Sequence, residues 1–232
     1  MNVQRFIGAI ACAAAASFMA PIGTARAQLV LSQLVVDLQQ GSQTRADIEI
    51  RNSGAERAYV TVEPREIVGA GSPAESPRTT PDPEQLGLLV SPKRMILESG
   101  QRRIIRVATI GPAANRERVY RVTVKPVVGE LSSETSGLKL LVGYDLLVLV
   151  RPADLQPRVT GTRSGKLLTL RNMGNVSVEL VDGKACDRSG KRCEPLAGGR
   201  LYPGAEKVVG PGPAGEASYK MKVRGALIPL RF

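Results

Sequence analysis

The fold of this chain is constrained most by a succession of short runs rich in β-branched residues, each separated from the next by Gly, Pro, Asn or Ser. Runs of that length with two-residue alternation are typical of β-strands, and no segment has a convincing helical stripe. Up to residue 152 the sequence predicts strands at residues 28–36, 46–51, 59–63, 88–90, 103–108, 119–124 and 138–150. Short strands joined by turns in this way predict an immunoglobulin-like β-sandwich, and the Pro-, Ser- and acid-rich stretch 71–85 is expected to form a surface loop.

A domain boundary is expected at Arg151-Pro152-Ala153. Proline cannot donate a hydrogen bond within a central β-ladder, so it ends the longest predicted strand. Beyond it the sequence predicts further short strands at residues 158–161, 166–171, 176–180, 205–209, 217–223 and 226–231. The expected architecture is therefore all-β, with a first immunoglobulin-like sandwich at residues 28–152 and a smaller second sandwich at residues 153–232.

Residues 1–27 have the features of a secretory signal peptide. The cation Arg5 precedes an alanine-rich apolar run at residues 6–20, and Ala25-Arg26-Ala27 forms a small-residue cleavage site before Gln28. The run is shorter than the roughly 20 apolar residues that a membrane-spanning helix needs. The pattern therefore favours a cleaved signal, and we expect an exported chain without membrane insertion.

The positive charge of the chain does not indicate a nucleic-acid partner. The net charge is +11 for the whole sequence and falls by two, to +9, when Arg5 and Arg26 leave with the signal. The remaining cations are scattered along the predicted strands, as at Arg45 and Arg51. No cluster is interleaved with the aromatic side chains that stack on single-stranded nucleic acid, so solvated strand faces explain most of these charges.

The residue composition argues against catalysis. The sequence contains no histidine, which removes Ser–His and Cys–His nucleophile activation and the commonest general base. No carboxylate pair stands in a recognisable catalytic frame, so we predict no enzyme activity, no metal site and no cofactor. Cys186 and Cys193 remain after signal cleavage, and an even number of cysteines in an exported protein predicts a disulfide between them.

The most informative segment is the predicted strand at residues 138–150, which changes character midway. In its first half Leu138, Leu140 and Val142 occupy alternate positions, so one face is apolar. In its second half residues 146–150 are apolar at every position, as in a strand that is covered on both faces. The alternating side chains either face the core of their own sandwich or fill pockets in a partner to which the strand is added.

Four stretches, this strand among them, carry a resemblance to a known family by their order and spacing. They are Ile48-Glu49-Ile50-Arg51-Asn52, Leu89-Val90-Ser91-Pro92-Lys93-Arg94 with Leu97-Glu98-Ser99-Gly100-Gln101, Arg116-Glu117, and residues 138–152 ending in Arg-Pro. Together they resemble the PapD-like periplasmic pilus-assembly chaperones. The resemblance implies two immunoglobulin-like domains set at an angle and no catalytic role. It also implies that the last strand of the first domain, through Leu138, Leu140 and Val142, is lent to a pilus or fimbrial subunit that is then delivered to an outer-membrane usher.

The resemblance assigns structural roles as well. It implies that Glu117 and Arg151 belong to a salt-bridge network between the two domains, whose third, acidic member in the second domain is not identifiable in the sequence. It implies a periplasmic location and leaves open a self-capping dimer when no client is bound. The alternative function that the sequence allows is a secreted immunoglobulin-like structural or fimbrial surface protein without a chaperone role.

The chain departs from the family at the positions that grip the subunit's C-terminal carboxylate. The arginine and lysine that do this in well-studied members correspond to Val36 and Leu147, and neither is basic. Arg121 and Lys125 on the neighbouring strand are the alternative anchors, because charge-assisted hydrogen bonds from cationic side chains can bind a carboxylate. The other interpretation is that both are solvated cations on a polar strand face.

Overall fold

A computed structural model describes residues 28–127, 141–213 and 215–232. Its elements in chain order are β1 (Leu29–Leu31), β2 (Val35–Gln39), β3 (Arg45–Asn52), β4 (Ala58–Val68), β5 (Ser76–Arg78), α1 (Pro83–Leu86), β6 (Leu88–Ser91), β7 (Arg94–Leu97), β8 (Arg102–Thr109), β9 (Arg118–Val127), β10 (Tyr144–Arg151), β11 (Val159–Ser164), β12 (Leu167–Asn172), β13 (Val178–Cys186), β14 (Cys193–Pro195), β15 (Gly199–Leu201), β16 (Glu206–Val209), β17 (Ala217–Val223) and β18 (Ala226–Arg231). Within these ranges, none of the helical structure has the length and apolar character needed to cross a bilayer.

The first sandwich packs two sheets face to face. One sheet has the strand order β1-β3-β8-β6, and the other has the order β2-β10-β9-β4-β5 with β7 also paired to β4. Alternate residues of the facing strands form the core between the sheets, such as Ile48 and Ile50 on β3 and Val122 and Val124 on β9. The two-residue alternation in the sequence predicts these strands because successive side chains of a strand point to opposite faces.

The second sandwich repeats this construction on a smaller scale. A sheet of order β11-β12-β16 faces a sheet of order β14-β13-β17-β18, with β15 also paired to β13. Leu170, Leu180 and Tyr219 lie in the core between them. A disulfide joins Cys186 and Cys193 at facing positions of β13 and β14. The predicted all-β fold and the predicted disulfide are both confirmed.

The run predicted as one strand at residues 28–36 is divided between the two sheets of the first sandwich. β1 pairs with β3 in one sheet, whereas β2 runs parallel to β10 in the other. Ser32, between them, donates its N–H to the Glu49 carbonyl at 2.9 Å and accepts the Glu49 N–H on its hydroxyl at 3.0 Å. This local bonding ends β1 and lets the chain cross to the second sheet, where β2 supports the base of β10.

The stretch 71–85, predicted to be a surface loop, contains two ordered elements instead. β5 pairs with the end of β4, and Arg78 forms a salt bridge with the buried carboxylate of Glu66. Asp82 caps α1 by accepting a hydrogen bond from the Glu84 N–H at 2.8 Å, and Pro83 stands in the first turn. Asp and Pro favour loops but also start helices, so composition alone could not distinguish the two outcomes.

One asparagine turn occurs in both sandwiches. Asn52 and Asn172 each follow an arginine, and both are fully buried. The Nδ2 of Asn52 donates to the Leu97 carbonyl at 3.0 Å, and the Nδ2 of Asn172 donates to the Leu201 carbonyl at 2.8 Å. Each Oδ1 accepts the N–H of a glycine two residues later, at 3.0 and 2.9 Å. A buried amide that satisfies several backbone groups fixes how the strand and the following turn meet.

Candidate functional site

One face of β10 continues outward beyond the core of its own sandwich. Leu146 is fully buried, Tyr144 is half-buried, and Val142 is 52% exposed. β10 begins at Tyr144, so among the described residues it starts later than the strand predicted for residues 138–150, and Val142 lies in the segment just before it. Side chains two positions apart along a strand share a face, so an extension of β10 by two residues would place Val142 on the side of Leu146. Of the three side chains that the sequence predicts to be lent, Leu138 and Leu140 lie outside the described residues.

The start of β10 has a strand partner on one side only. β9 pairs with it along residues 144–150, whereas β2 pairs with it only along residues 147–151. In the part of the chain that the structure describes, no strand therefore covers the second edge of residues 144–146. Such an edge presents backbone N–H and C=O groups with which another strand can pair. The hydroxyl of Tyr144 donates to the Leu29 carbonyl at 2.7 Å and so holds this open end against β1.

The two positions that the sequence resemblance assigns to the family's carboxylate-binding arginine and lysine are filled by packed apolar side chains. Val36 lies in the core of the first sandwich. Leu147 is 7% exposed and packs with Val119, Leu149 and the half-buried Tyr202 of the second sandwich. These two positions therefore contribute to packing, and any carboxylate grip must be formed by other residues.

A cluster of charged side chains lies on the outer face of the sheet, which we define as the face away from the core that carries the odd-numbered residues of β4, β9 and β10. Arg65 and Arg121 are directly opposite each other on β4 and β9. Arg65 is 2.9 Å from Asp145 Oδ2, and Arg121 is 4.0 Å from the same atom. Thr123 donates to Asp145 at 2.9 Å and accepts from Arg65. Like charges at opposed cross-strand positions are unfavourable, and one carboxylate here serves two guanidinium groups.

Lys125, the second candidate anchor, has its own acidic partner. Its Nζ lies 3.0 Å from Glu63 on β4, and both side chains are about half exposed to solvent. The next outward position on β9 is the exposed Val127, which lies beside the exposed Tyr59. The structure thus separates the two sequence candidates, since Arg121 belongs to a cluster with excess positive charge and Lys125 to a neutral pair.

Glu117 and Arg151 lie together at the junction of the two sandwiches. Arg151 is buried, with its Nη1 3.0 Å from Glu117 Oε2 and its Nε 2.7 Å from Asp37 Oδ1. The second sandwich contributes the backbone of Ser177, whose carbonyl accepts from Arg151 at 3.0 Å and whose N–H donates to Glu117 at 3.0 Å. The family resemblance predicts an acidic side chain from the second sandwich in this network, but the second sandwich contributes the main chain of Ser177. Besides Glu117, the other carboxylate that contacts Arg151 is that of Asp37 in β2.

The carboxylate of Glu117 is in a demanding environment. Burial raises its pKa, while the Arg151 charge and the hydrogen bonds from Ser177 act in the opposite direction. Its Oε1 is buried without a hydrogen-bond partner among the described residues. A desolvated ion pair contributes little net stability but is costly to break on one side, so this bridge is suited to holding the junction in one geometry.

Asn175 is a junction residue that the sequence analysis did not identify. Its Nδ2 donates to the carbonyls of Asn115 at 3.1 Å and Asp154 at 2.9 Å, and its Oδ1 accepts from the Gln156 N–H at 2.7 Å. Its own carbonyl accepts from the Glu117 N–H at 2.8 Å. One amide therefore connects the segment before β9, the linker and a turn of the second sandwich. Its position just after the asparagine turn at residue 172 is the only signal in the sequence.

Comparison with known proteins places these features in a family. The family model for the pili and flagellar-assembly chaperone, PapD N-terminal domain, matches residues 28–156. The probable fimbrial chaperone EcpE of Escherichia coli O127:H6 is 32% identical over 116 residues, covering 43% of this chain and 44% of the relative. EcpE of strain K12 is 32% identical over 111 residues with the same coverage. The matched region thus spans less than half the length of these curated relatives.

Solved structures share the fold over most of the chain. The class 5 fimbriae chaperone CfaA has a TM-score of 0.71 at 21% identity, covering 88% of this chain and 97% of that chain. The SafB chaperone in complex with the SafA pilin of Salmonella enterica has a TM-score of 0.62 at 20% identity, covering 90% and 97%. The fold is therefore that of chaperones with two immunoglobulin-like domains, and the chain belongs to the pili and flagellar-assembly chaperone family defined by the PapD N-terminal domain.

Proposed function

We propose that the chain is a periplasmic chaperone that stabilises pilus or fimbrial subunits by lending them the segment at the start of β10, and that it delivers them to an outer-membrane usher. The observation that carries the proposal is the open strand edge at residues 144–146, which is preceded by the exposed apolar side chain of Val142. The fold relative SafB forms a complex with a pilin, and CsuC of Acinetobacter baumannii forms one with the tip adhesion subunit CsuE. Both complexes support a subunit as the partner here.

The binding energy of a lent strand comes from two sources. Backbone hydrogen bonds along the open edge give affinity, and alternate side chains fill pockets in the partner. Val142 is the described member of that set, and Leu138 and Leu140 join it by the alternation of the sequence. Each such side chain contributes about 1.5–3 kcal/mol on full burial, before the cost of association is subtracted.

Arg121, together with Arg65, is our proposed anchor for the subunit's terminal carboxylate. The two guanidinium groups share Asp145, so a second carboxylate would complete a balanced cluster of two cations and two anions. Removal of a charge-assisted hydrogen bond costs about 1.5–3 kcal/mol. Lys125 is the weaker candidate because Glu63 already neutralises it.

The remaining predictions from the sequence belong to the same proposal. The family match begins at residue 28, which supports cleavage of a signal peptide at residues 1–27 and export to the periplasm. The fold relative SfaE is itself a periplasmic chaperone. We propose domains at residues 28–152 and 153–232, an interdomain role for Glu117 and Arg151, and no catalytic activity. The client-free dimer stays a prediction, and the family match favours a chaperone over a structural subunit.

A pair of valine substitutions tests strand lending. Tagged wild-type protein is recovered from the periplasm of its native host, and the co-purifying fimbrial subunit is identified by mass spectrometry. V142D should remove that subunit from the eluate, because an aspartate cannot enter an apolar pocket. V208D, at a valine that is 61% exposed on β16, is the matched control and should retain it. Normal recovery with V142D would exclude the assignment.

The anchor is tested with the same subunit, once purified. R121Q should weaken binding by about 10–100-fold, the equivalent of the lost charge-assisted bond. K125Q is the control, because it removes one positive charge from the same face of β9, four residues after Arg121. It should change affinity by less than about threefold. A larger loss for K125Q than for R121Q would move the anchor to Lys125.

A further inference from the structure

A basic cleft lies at the junction of the two sandwiches. It shares no residue with the proposed subunit-binding face. It encloses about 690 Å³ and is lined by the loop before β9, the linker and turns of the second sandwich. Arg116, Arg158 and Arg171 line it, and its lining contains no Asp or Glu among the described residues.

Two of these three arginines have no anionic partner among the described residues. Arg171 is 3.4 Å from Glu206. In the described ranges the guanidinium groups of Arg116 and Arg158 form neither an ion pair nor a hydrogen bond, and both residues are exposed. Asp154 in the linker is used locally, since it accepts the Gln156 side-chain amide at 2.7 Å. The cleft therefore has excess positive charge, which raises the local concentration of an anionic ligand.

The walls of the cleft are fixed before any ligand binds. Asn175 ties the Asn115 and Gln156 backbones to its own turn, as described above. The Arg158 carbonyl accepts the N–H groups of Met173 at 2.7 Å and Gly174 at 3.1 Å. A Cβ at Gly174 would come within 2.3 Å of the Gln156 carbonyl oxygen, so this close approach requires glycine. A ligand that meets walls already ordered loses less entropy on binding.

We propose that this cleft binds an acidic segment of a partner polypeptide, in which carboxylates contact Arg116 and Arg158. The guanidinium fork matches a carboxylate with two parallel hydrogen bonds. The volume lies in the range of sites that hold drug-sized ligands, and is more than a single small anion fills. The exposed Met173 and the half-buried Pro157 add apolar lining that an aliphatic side chain next to a carboxylate would cover.

The test uses a fluorescein-labelled octapeptide in which glutamate alternates with glycine and leucine, and the same peptide with glutamine in place of glutamate. Fluorescence anisotropy with the full mature chain should show binding of the glutamate peptide, and the affinity should fall as salt rises from about 50 to 200 mM. The glutamine peptide should bind at least about tenfold more weakly. Loss of the difference between the two peptides would overturn the proposal.

A charge-matched pair of double variants separates the cleft from general attraction. R116Q/R158Q should lower affinity for the glutamate peptide by about tenfold or more. R188Q/R192Q removes the same charge from the exposed hairpin between the cysteines and should change affinity by less than about twofold. Circular dichroism checks that both fold. Equal losses in the two variants, or displacement of the peptide by inorganic phosphate at submillimolar concentration, would overturn the assignment to an acidic peptide.

Discussion

Replacement of Arg151 by methionine should show how strongly the junction depends on one buried ion pair. The side chains of Arg151 and Glu117 are 3% and 0% exposed, so solvent does not screen their interaction. Without the guanidinium, Glu117 keeps the hydrogen bonds from Ser177 and the more distant charge of Arg200 but loses its ion-pair partner. Stranding one charge of a buried pair costs about 3–5 kcal/mol. Since a domain is stable by about 5–15 kcal/mol, we expect R151M to fold with a clearly lowered free energy of unfolding.

The pH dependence of the R151M variant identifies the cause. Burial already raises the pKa of Glu117, and Arg151 is the main influence that opposes this rise, so the pKa of Glu117 should increase further in R151M. A carboxyl group whose pKa is higher in the native than in the unfolded state binds more protons in the native state. The contribution to stability is then present at low pH and is lost as pH rises through the native pKa. Lowering the pH from about 7 to about 5 should therefore narrow the stability gap between R151M and wild type.

Urea unfolding followed by far-ultraviolet circular dichroism at both pH values measures these effects. The double variant E117Q/R151M is the control, because it removes the charge that R151M strands and should recover at least about 1 kcal/mol relative to R151M at neutral pH. The view that the pair is desolvated would be refuted if R151M lost less than about 1 kcal/mol of unfolding free energy, as for an exposed pair. It would also be refuted if the difference in unfolding free energy between R151M and wild type did not change with pH.

Two further predictions concern the scaffold. The double variant C186A/C193A should lose about 2–3 kcal/mol of unfolding free energy, because the disulfide no longer restricts the unfolded chain. A thermal unfolding midpoint equal to that of the oxidised wild-type protein would contradict this. Asn52→Ala should cost about 2 kcal/mol or more by leaving buried backbone groups without partners, whereas Asn115→Ala, at an exposed side chain, should cost less than about 0.5 kcal/mol in the same assay.

The sequence predicted the fold wherever a strand alternates between core and solvent. β9 is an example, since Val122 and Val124 alternate with half-exposed neighbours and the pattern needs no knowledge of the partner strands. The break at Ser32 was not predictable in this way. It depends on hydrogen bonds to Glu49, a residue on another strand, and the local sequence 28–36 is compatible with one strand or two.

The candidate site was predictable in part for the same reason. Val142 and Arg121 became candidates because the alternation along one strand shows which residues share a face, and their roles stay predictions. Arg65 was missed because its place beside Arg121 follows from the register of β4 on β9, which the sequence does not state. Asn175 acts through backbone groups of three separate segments, and backbone contacts leave no trace in residue type.

The two ends of β10 have opposite requirements, and the structure meets both within one strand. In the proposed function its start leaves an apolar side chain and a backbone edge open for a partner, which in water is an aggregation hazard. Its end, at Arg151, is buried between β2, β9 and the second sandwich. Because the end is held in place and β9 pairs with the start, the open start of β10 is already extended before a partner binds. Less conformational entropy of β10 is then lost when a partner strand binds. It follows that loosening the junction at Arg151 should weaken capture of a client, although Arg151 is itself buried and lies at the other end of β10 from the proposed lent segment.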